Sequence, residues 1–303
     1  MAGMDDLTRY EELPAALLDE LAAAGLDPAR IDADIRSALA EDLPDGGVDT
    51  TSVATIAADQ QGTAVFAARE PGTLAGLGVA ALVFHVVMGE TVTVTDRLAD
   101  GTVVEAGDVV MEVSGPTRGL LTAERTALNY ASHLSGVATA TAHWVRALAG
   151  TRAQVLDTRK TLPNYRALQK YAVRCGGGTN HRFSLADMAM VKDNHVVAAG
   201  GVVPALRAVR AAFPGLPVEV EVTDLDQLRE LLDEGCDRVL LDNMDTTTMA
   251  EAVRITAGRT VLEASGGLTL ARAREVAETG VDYISVGALT HSVTVFDLGM
   301  DLR

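Results

Sequence analysis

The second half of the chain alternates short apolar segments with longer amphipathic ones, and this alternation limits the possible folds more than any other feature. The apolar segments, predicted as strands, are Ala153–Asp157, Met188–Lys192, Val218–Val222, Arg238–Asp242, Thr260–Ala264 and Asp282–Val286. The predicted helices between and after them are Tyr165–Val173, Gly200–Ala212, Leu225–Glu234, Thr247–Ala257 and Leu268–Thr279. Near-continuous apolar strands that alternate with helices are typical of a parallel sheet covered on both faces. We therefore predict an α/β fold whose sheet is closed, or nearly closed, into a barrel.

The first part of the chain has a different pattern, which predicts an α+β domain. Leu17 and Leu21, then Ile31, Ile35 and Leu39, recur at helical spacing, so two helices are expected before residue 43. From residue 52 to 115, short runs with a period of two predict strands around one short apolar helix. We predict an α+β sandwich over residues 1–120, a linking helix over 121–150, the barrel over 151–290, and a tail over 291–303 that packs back on the sandwich.

Charge and composition argue against several classes of protein. The formal net charge of -17 and the pI of about 4.7 disfavour nucleic-acid and membrane partners, since both carry negative charge. The most apolar run, Leu77–Met88, is too short to span a bilayer. Two cysteines, Cys175 and Cys236, indicate a reducing compartment without a disulfide framework. Because Asp5 and Asp6 make the N-terminus unlike a secretory signal, we expect a cytoplasmic protein.

Basic residues gather in one stretch of this acidic chain, Asp157–His195. The stretch contains Arg159, Lys160, Arg166, Lys170, Arg174, Arg182 and Lys192, together with His181 and His195. Most Arg and Lys side chains on a globular protein are simply solvated. Here, however, Arg159 and Lys160 follow one predicted strand and Lys192 follows another, so these cations are expected to converge. A local excess of positive charge in an acidic protein favours a site for a small, highly charged anion.

Polar residues and glycines also end the other predicted strands, where α/β barrels carry their sites. These positions are Glu221, Asp242, Ser265, Gly266, Gly267, Gly287 and Ala288. Glycine loops let backbone N–H groups approach a phosphate, although Ser-Gly-Gly alone is more often a plain turn. Glu221 and Asp242 would be a general acid and base, as in glycosidases, or oxygen ligands for magnesium and ribose hydroxyls; the cationic surroundings favour the second. Glu219 is expected on the other face of the sheet, as a buried or paired carboxylate.

Several motifs resemble those of the quinolinate phosphoribosyltransferase family. They are EDL from Glu41, LTAER-x-ALN from Leu121, DTRKT-x-P from Asp157, R-x-L-x-KYAV from Arg166, GGG-x-NHR from Gly176, KDNH from Lys192, EVEV from Glu219, LLDN from Leu240, SGG from Ser265 and VGALTHS from Val286. Together they extend over nearly all of the chain after residue 30. Asn164 and Ser184 stand where the family commonly has glycine. Asn tolerates a left-handed backbone, and Ser does so less readily.

The resemblance implies a reaction and a fold. The reaction transfers a phosphoribosyl group from phosphoribosyl pyrophosphate to quinolinate with decarboxylation, giving nicotinate mononucleotide, pyrophosphate and carbon dioxide in NAD biosynthesis. The fold is an incompletely closed α/β barrel with an N-terminal α+β sandwich domain. The resemblance also implies a homodimer or higher oligomer in which Arg125 of one subunit reaches the site of its partner.

The resemblance further assigns roles to single residues. Lys160, Glu221 and Asp242 would be catalytic, with Glu221 and Asp242 holding Mg²⁺ directly or through water. Quinolinate would be bound by Arg125, Arg159, His181, Arg182 and Lys192, since guanidinium forks pair bidentately with carboxylates. Phosphate would be bound by Ser265, Gly266, Gly267, Gly287 and Ala288. Lys160 and Lys192, with Mg²⁺, would stabilise the leaving pyrophosphate.

Two other functions fit the same residues. One is transfer to a different nitrogenous acceptor by a related barrel enzyme. The full set of arginines argues against this function, because several arginines suit an acceptor with two carboxylates. The other is a catalytically silent barrel that senses a phosphorylated metabolite, which the retention of Lys160, Glu221 and Asp242 disfavours. A panel of acceptors with detection of released carbon dioxide separates these three functions.

Overall fold

The chain forms two compact units, each of which includes more than one segment of sequence. A computed structural model describes residues 7–303, so Asp5 and Asp6 of the acidic N-terminus lie outside the described residues. The first unit contains the residues up to Thr139, then Ala167–Gly176 and Val293–Arg303, and the second contains Ala140–Arg166 and Gly177–Ser292. These units differ from the predicted ranges in two respects. A helix that follows the first strand of the second unit belongs to the first unit, and the boundary after Thr139 divides the predicted linking helix 121–150.

The first unit is built on an antiparallel sheet with the order β12-β1-β5-β3. Its strands are β1 (Gln61–Ala68), β3 (Thr93–Thr95), β5 (Val109–Pro116) and β12 (Leu298–Leu302), and a separate pair is formed by β2 (Gly72–Thr73) and β4 (Val103–Val104). The C-terminal strand β12 pairs with β1 from Ala64↔Leu302 to Ala68↔Leu298. The last residues of the chain therefore complete a sheet that begins near residue 61.

The helices of the first unit cover this sheet. They are α1 (Ala15–Ala23), α2 (Pro28–Asp42), α3 (Thr50–Thr55), α4 (Leu77–Met88), the first part of α5 (Thr117–Ala147) and nearly all of α6 (Arg166–Cys175). The side chain of Asp27 caps α2 by accepting hydrogen bonds from the N–H groups of Ala29 and Arg30. Helix α4 is apolar on all sides because it is a core helix, buried from Leu77 to Phe84. The predicted α+β character of this region is confirmed.

The second unit contains the predicted parallel sheet. Its strands are β6 (Gln154–Leu156), β7 (Ala189–Val191), β8 (Val218–Val222), β9 (Arg238–Asp242), β10 (Val261–Ser265) and β11 (Tyr283–Ser285), in the order β6-β11-β10-β9-β8-β7. Each neighbouring pair is parallel. At one edge Thr179 forms a parallel bridge with Leu156 of β6. The parallel six-stranded sheet is thus confirmed, whereas its closure into a barrel stays a prediction.

Helices connect these strands and leave the carboxyl ends of the strands accessible. They are α7 (Asp193–Ala199), α8 (Val202–Ala212), α9 (Leu225–Asp233), α10 (Thr246–Thr256), α11 (Ala273–Glu278) and α12 (Ala288–His291). Short elements such as α3, α7 and β12 were not predicted, because a few residues show too little periodicity to be recognised in sequence. Among residues 7–303, no helix is both long and apolar enough to cross a membrane.

Candidate active site

A cavity of about 700 Å³ opens at the carboxyl ends of the parallel strands in the second unit. It is lined by all of the residues proposed from the sequence for catalysis and ligand binding except Arg125, namely Arg159, Lys160, His181, Arg182, Lys192, Glu221, Asp242, Ser265, Gly266, Gly267, Gly287 and Ala288. The strands position them because parallel strands place their carboxyl ends at one edge of the sheet. The expectation that these residues converge therefore agrees with the structure, while their individual roles stay predictions.

Two arginines in the cavity lie close enough to influence each other. The guanidinium group of Arg182 donates a 2.9 Å hydrogen bond from Nη1 to the carbonyl oxygen of Met188. Burial lowers the pKa of Arg182, and the positive charge of Arg159 lowers it further. The Nε atom of Arg159 is buried and has no hydrogen-bond partner among the described residues. Two neighbouring guanidinium groups, one with an unused donor, have the geometry and charge to bind an anion such as a carboxylate.

Lys160 lies in the loop after the carboxyl end of β6, and two hydrogen bonds fix its backbone. Its N–H donates to the hydroxyl of Thr158 at 3.0 Å, and its carbonyl oxygen accepts from the hydroxyl of Thr290 at 2.8 Å. A side chain at Gly287 would come within 3.1 Å of Lys160 Cδ and of His291 Nε2. The lysine stem therefore passes closely over the loop after β11, and a larger residue at position 287 would require Lys160 or His291 to shift.

The carboxylates of Glu221 and Asp242 line the same cavity from neighbouring strands. Lys192 Nζ lies 3.2 Å from Glu221 Oε2, and half of the lysine side chain is exposed. Asp242 Oδ2 accepts a 2.8 Å hydrogen bond from the amide of Asn243. These two carboxylates offer oxygen ligands of the kind Mg²⁺ prefers, whereas Glu263, the third carboxylate of the cavity, is paired with Arg238.

The loop after β10 approaches Asn243 closely. Gly266 has a φ of +96°, and a Cβ atom there would lie 3.0 Å from the backbone nitrogen of Asn243 and closer still to its side chain. Asn243 itself has a φ of 54°, and its N–H donates to the carbonyl oxygen of Ser265 at 3.0 Å. The Ser-Gly-Gly loop and Asp242 are thus held together through Asn243.

His181 lies in the wall of the cavity, in contact with two buried glutamates. Its Nε2 atom is 2.9 Å from Glu219 Oε2 and 3.4 Å from Glu263 Oε2, and both glutamates are at most 1% exposed. Burial alone would lower the pKa of His181, but the hydrogen bonds to these carboxylates raise it to about 9. The backbone N–H of Arg182 donates a 2.8 Å hydrogen bond to Nδ1, so Nδ1 acts as an acceptor and carries no proton. We therefore assign a proton to Nε2.

The expected position of Glu219 was wrong. Glu219 and Glu221 are two residues apart on β8, and side chains at that spacing point to the same face of a sheet. Glu219 contacts His181 on the cavity face, one layer beneath Glu221. The expectation that it is buried and paired is correct, since it also forms an ion pair of 2.7 Å with Arg238.

Arg125 is the predicted site residue that lies in the first unit. It is exposed on α5, as is Asn129 one turn later, whereas His133 is half-buried with its Nε2 atom 3.0 Å from Gln169 Nε2. The face of α5 that these three residues share at four-residue spacing is therefore exposed at its beginning and covered at its end. Its distal part contacts α6 within the same unit.

The two positions where glycine was expected are accommodated differently. Asn164 adopts a left-handed backbone with a φ of 63°, which Asn tolerates better than most residues. Ser184 does not have a positive φ, and its N–H donates to the carboxylate of Asp187 at 3.0 Å.

Several residues of the site were not assigned from the sequence. Asn243 and His291 lie within motifs that were recognised, so their positions were available but their contacts were not. Arg238 is the first residue of β9, and Glu263 lies within β10. The sequence does not show whether a charged residue in a strand is buried in an ionic network or exposed to solvent. Only the pairing of β8, β9 and β10 brings them together.

The comparisons with known proteins agree with this geometry. Residues 49–135 match the sequence profile of the quinolinate phosphoribosyl transferase N-terminal domain, and residues 137–301 match that of its C-terminal domain. The chain is 53% identical over 272 residues to a nicotinate-nucleotide pyrophosphorylase [carboxylating] of Mycobacterium leprae, covering 88% of this chain and 95% of the relative. It is 40% identical over 261 residues to a probable enzyme of the same name from Bacillus subtilis, covering 86% and 90%.

A solved structure has the same fold. The NadC protein of Streptococcus pyogenes superposes with a TM-score of 0.88 at 41% sequence identity, covering 92% of this chain and 98% of that one. Both halves of the chain thus match one family, in sequence and in fold. The chain belongs to the quinolinate phosphoribosyl transferase family.

Proposed function

We propose that this protein transfers the phosphoribosyl group of phosphoribosyl pyrophosphate to quinolinate, with loss of carbon dioxide, to give nicotinate mononucleotide for NAD biosynthesis. The observation that carries the proposal is the pair of neighbouring guanidinium groups, Arg159 and Arg182, in the cavity that also contains Glu221 and Asp242. The arginines suit a dicarboxylate, and the two carboxylates suit a ribose that becomes positively charged. The family and the names of its relatives point to the same reaction.

The acceptor would lie against the cationic part of the cavity. Arg159 offers an unused buried Nε donor, and Arg182 is fixed by its bond to Met188 so that the remaining N–H groups can face a ligand. His181 and Lys192 would complete this surface. Because quinolinate carries two adjacent carboxylates, a cluster of fork-shaped donors binds it better than single point charges would.

The transfer step would develop charge at both ends of the bond that breaks. The ribose becomes oxocarbenium-like, and the carboxylates of Glu221 and Asp242 would stabilise it. The bond between the anomeric carbon and the pyrophosphate oxygen breaks, and Lys160 with Lys192 would stabilise the departing negative charge. The pyridine nitrogen takes the sugar, and the quaternised ring then accepts the electron pair left by carbon dioxide. A proton from solvent replaces the lost carboxylate.

The phosphate of the donor would be bound by the two glycine loops. Ser265, Gly266 and Gly267 follow β10, and Gly287 with Ala288 follows β11. Backbone N–H groups can reach a phosphate here because the glycines carry no side chain. We also propose magnesium as cofactor, held by Glu221 and Asp242, since Mg²⁺ is usually bound by one or two carboxylates together with substrate phosphates. When bound, the ion would neutralise part of the pyrophosphate charge.

The proposal includes a homodimer in which Arg125 of one subunit reaches the site of its partner. Arg125 is exposed on α5 in a motif shared with the family, and its guanidinium would add a further carboxylate contact. A two-fold dimer would make the exchange reciprocal, with two equivalent sites. The acidic net charge and two free cysteines support a cytoplasmic location.

An assay of the purified protein tests the function. We expect quinolinate, phosphoribosyl pyrophosphate and magnesium together to give nicotinate mononucleotide, pyrophosphate and carbon dioxide in equal amounts. Omission of any one of the three should stop product formation. Turnover with another nitrogenous acceptor and without carbon dioxide would indicate the related transferase. Binding of both ligands without turnover at saturating magnesium would indicate a sensor.

Replacing Arg182 by lysine should weaken quinolinate binding much more than phosphoribosyl pyrophosphate binding. The charge is kept, but the bidentate geometry and the bond to Met188 are lost. We expect the dissociation constant for quinolinate to rise roughly 10-fold or more, as for a charge-assisted hydrogen bond. Titration calorimetry with each ligand separately measures the effect, and Arg229→Lys on α9 is the control. Equal weakening of both ligands would contradict the assignment of Arg182.

A further inference from the structure

A buried ionic cluster lies directly beneath the cavity, on four neighbouring strands. Glu219 on β8, Arg238 on β9 and Glu263 on β10 contact one another, and Tyr283 on β11 lies beside them. We propose that Arg238 is a positioning residue, which bridges Glu219 and Glu263 and thereby orients the His181 ring in the cavity wall. This deepens the proposed function and rests on it where quinolinate is concerned.

The strand register brings the four side chains into two adjacent rows of the sheet, since the partner of Arg238 on β10 is Val261, two residues before Glu263. Glu219 is the partner of Arg238 across β8 and β9, and Glu263 is the partner of Tyr283 across β10 and β11. Arg238 Nε donates to Glu219 Oε1 at 2.7 Å, and its Nη2 donates to Glu263 Oε2. The guanidinium carbon lies 4.6 Å from the centre of the Tyr283 ring. Arg238 is therefore fixed by two ion pairs and one stacking contact.

The two glutamates would repel each other without this arginine. Both are at most 1% exposed, so water does not screen their charges. The guanidinium is a planar fork that can bind two carboxylates at once, which a lysine ammonium with its different geometry does less well. His181, Glu219 and Glu263 each place one possible metal-ligand atom within 4.8 Å of the others, and Arg238 supplies a positive charge beside the two glutamates.

His181 depends on these carboxylates for its orientation. Its ring is held at Nε2 by Glu219 and Glu263, and its backbone N–H donates to the buried carboxylate of Asp157 at 2.9 Å. Arg238 does not line the cavity, whereas His181 and Glu263 do. Arg238 therefore acts on a ligand only through the ring that it helps to orient. Its loss should move or free that ring without removing any group that touches the substrate.

The test compares Arg238→Met with the parent by two measurements. The first is steady-state kinetics: we expect the KM for quinolinate to rise about 10-fold or more, and the KM for phosphoribosyl pyrophosphate to stay within about twofold, since one oriented polar contact is lost. The second is NMR of the histidine rings, with His181 assigned by comparison with His181→Gln. The ring Nε2–H resonance should be protected from exchange in the parent and lost in Arg238→Met. Arg238→Lys, which keeps the charge, should restore both properties in part.

Two further variants serve as controls for Arg238→Met. Arg210→Met removes another partly buried arginine of the same unit, whose guanidinium bonds the carbonyl oxygens of Glu234 and Gly235, and it should leave both measurements unchanged. Arg238→Met combined with Glu263→Gln removes one charge of each sign and provides a folded variant if the single change does not fold. A His181 resonance that stays protected in the folded variant overturns the proposal. The NMR result decides this even if the parent does not turn over quinolinate, which would overturn only the proposed function.

Discussion

Lys160→Ala should lose nearly all turnover while the protein stays folded. Lys160 lies at the carboxyl end of β6 and its exposed side chain passes over Gly287 into the cavity, so it can contact a leaving group without supporting the core. Removing one preorganised charge contact to the transition state typically lowers kcat by about 10²–10³. We therefore expect a loss of this size in kcat, measured as pyrophosphate release at saturating substrates.

The control for this variant is an exposed cation elsewhere in the same unit. Arg254 on α10 pairs with Glu251 near the protein surface, so Arg254→Ala should keep parental turnover. Urea unfolding of Lys160→Ala should match that of the parent because the lysine side chain is exposed. Turnover within a fewfold of the parent would contradict a role for Lys160 at the leaving group.

A mixture of Arg125→Ala and Lys160→Ala subunits should recover activity that neither variant has alone. If Arg125 acts in the partner's site, a mixed dimer has one site with both residues intact and one with neither. Random exchange of subunits gives half mixed dimers, and half of their sites are complete. Activity should therefore return to roughly a quarter of the parent value, by the symmetry of a two-fold dimer.

The exchange itself must be verified. Subunits with two different tags, co-purified in sequence, isolate the mixed dimers, whose activity should reach about half of the parent value. Arg146→Ala, an exposed arginine later on the same helix α5, should be active without a partner. If verified mixed dimers stay inactive, Arg125 acts within its own chain or outside the site.

The parallel strands and the residues at their ends were predictable from the sequence. Val218–Val222 and Arg238–Asp242 form with the predicted bounds, because short apolar runs bounded by turns and separated by helices leave few other arrangements. Since parallel strands end at one edge, Lys192, Glu221 and Asp242 could be expected in one cavity before their distances were known. Local pattern and topology therefore determined where the site is.

Contacts between strands that are distant in sequence were decided only by the tertiary structure. Glu219 and Arg238 are separated by a helix, and their pairing follows from strand register rather than from any local period. The contact of Arg238 with Glu263 runs diagonally between β9 and β10, which no local period indicates either. Helix α6 belongs to the first unit, and β12 completes the sheet of that unit. The sequence does not show this, because an apolar face can be buried against any apolar surface that the fold brings near it. The sequence by itself determined the elements and the chemistry at their ends, while packing decided which buried charges face each other.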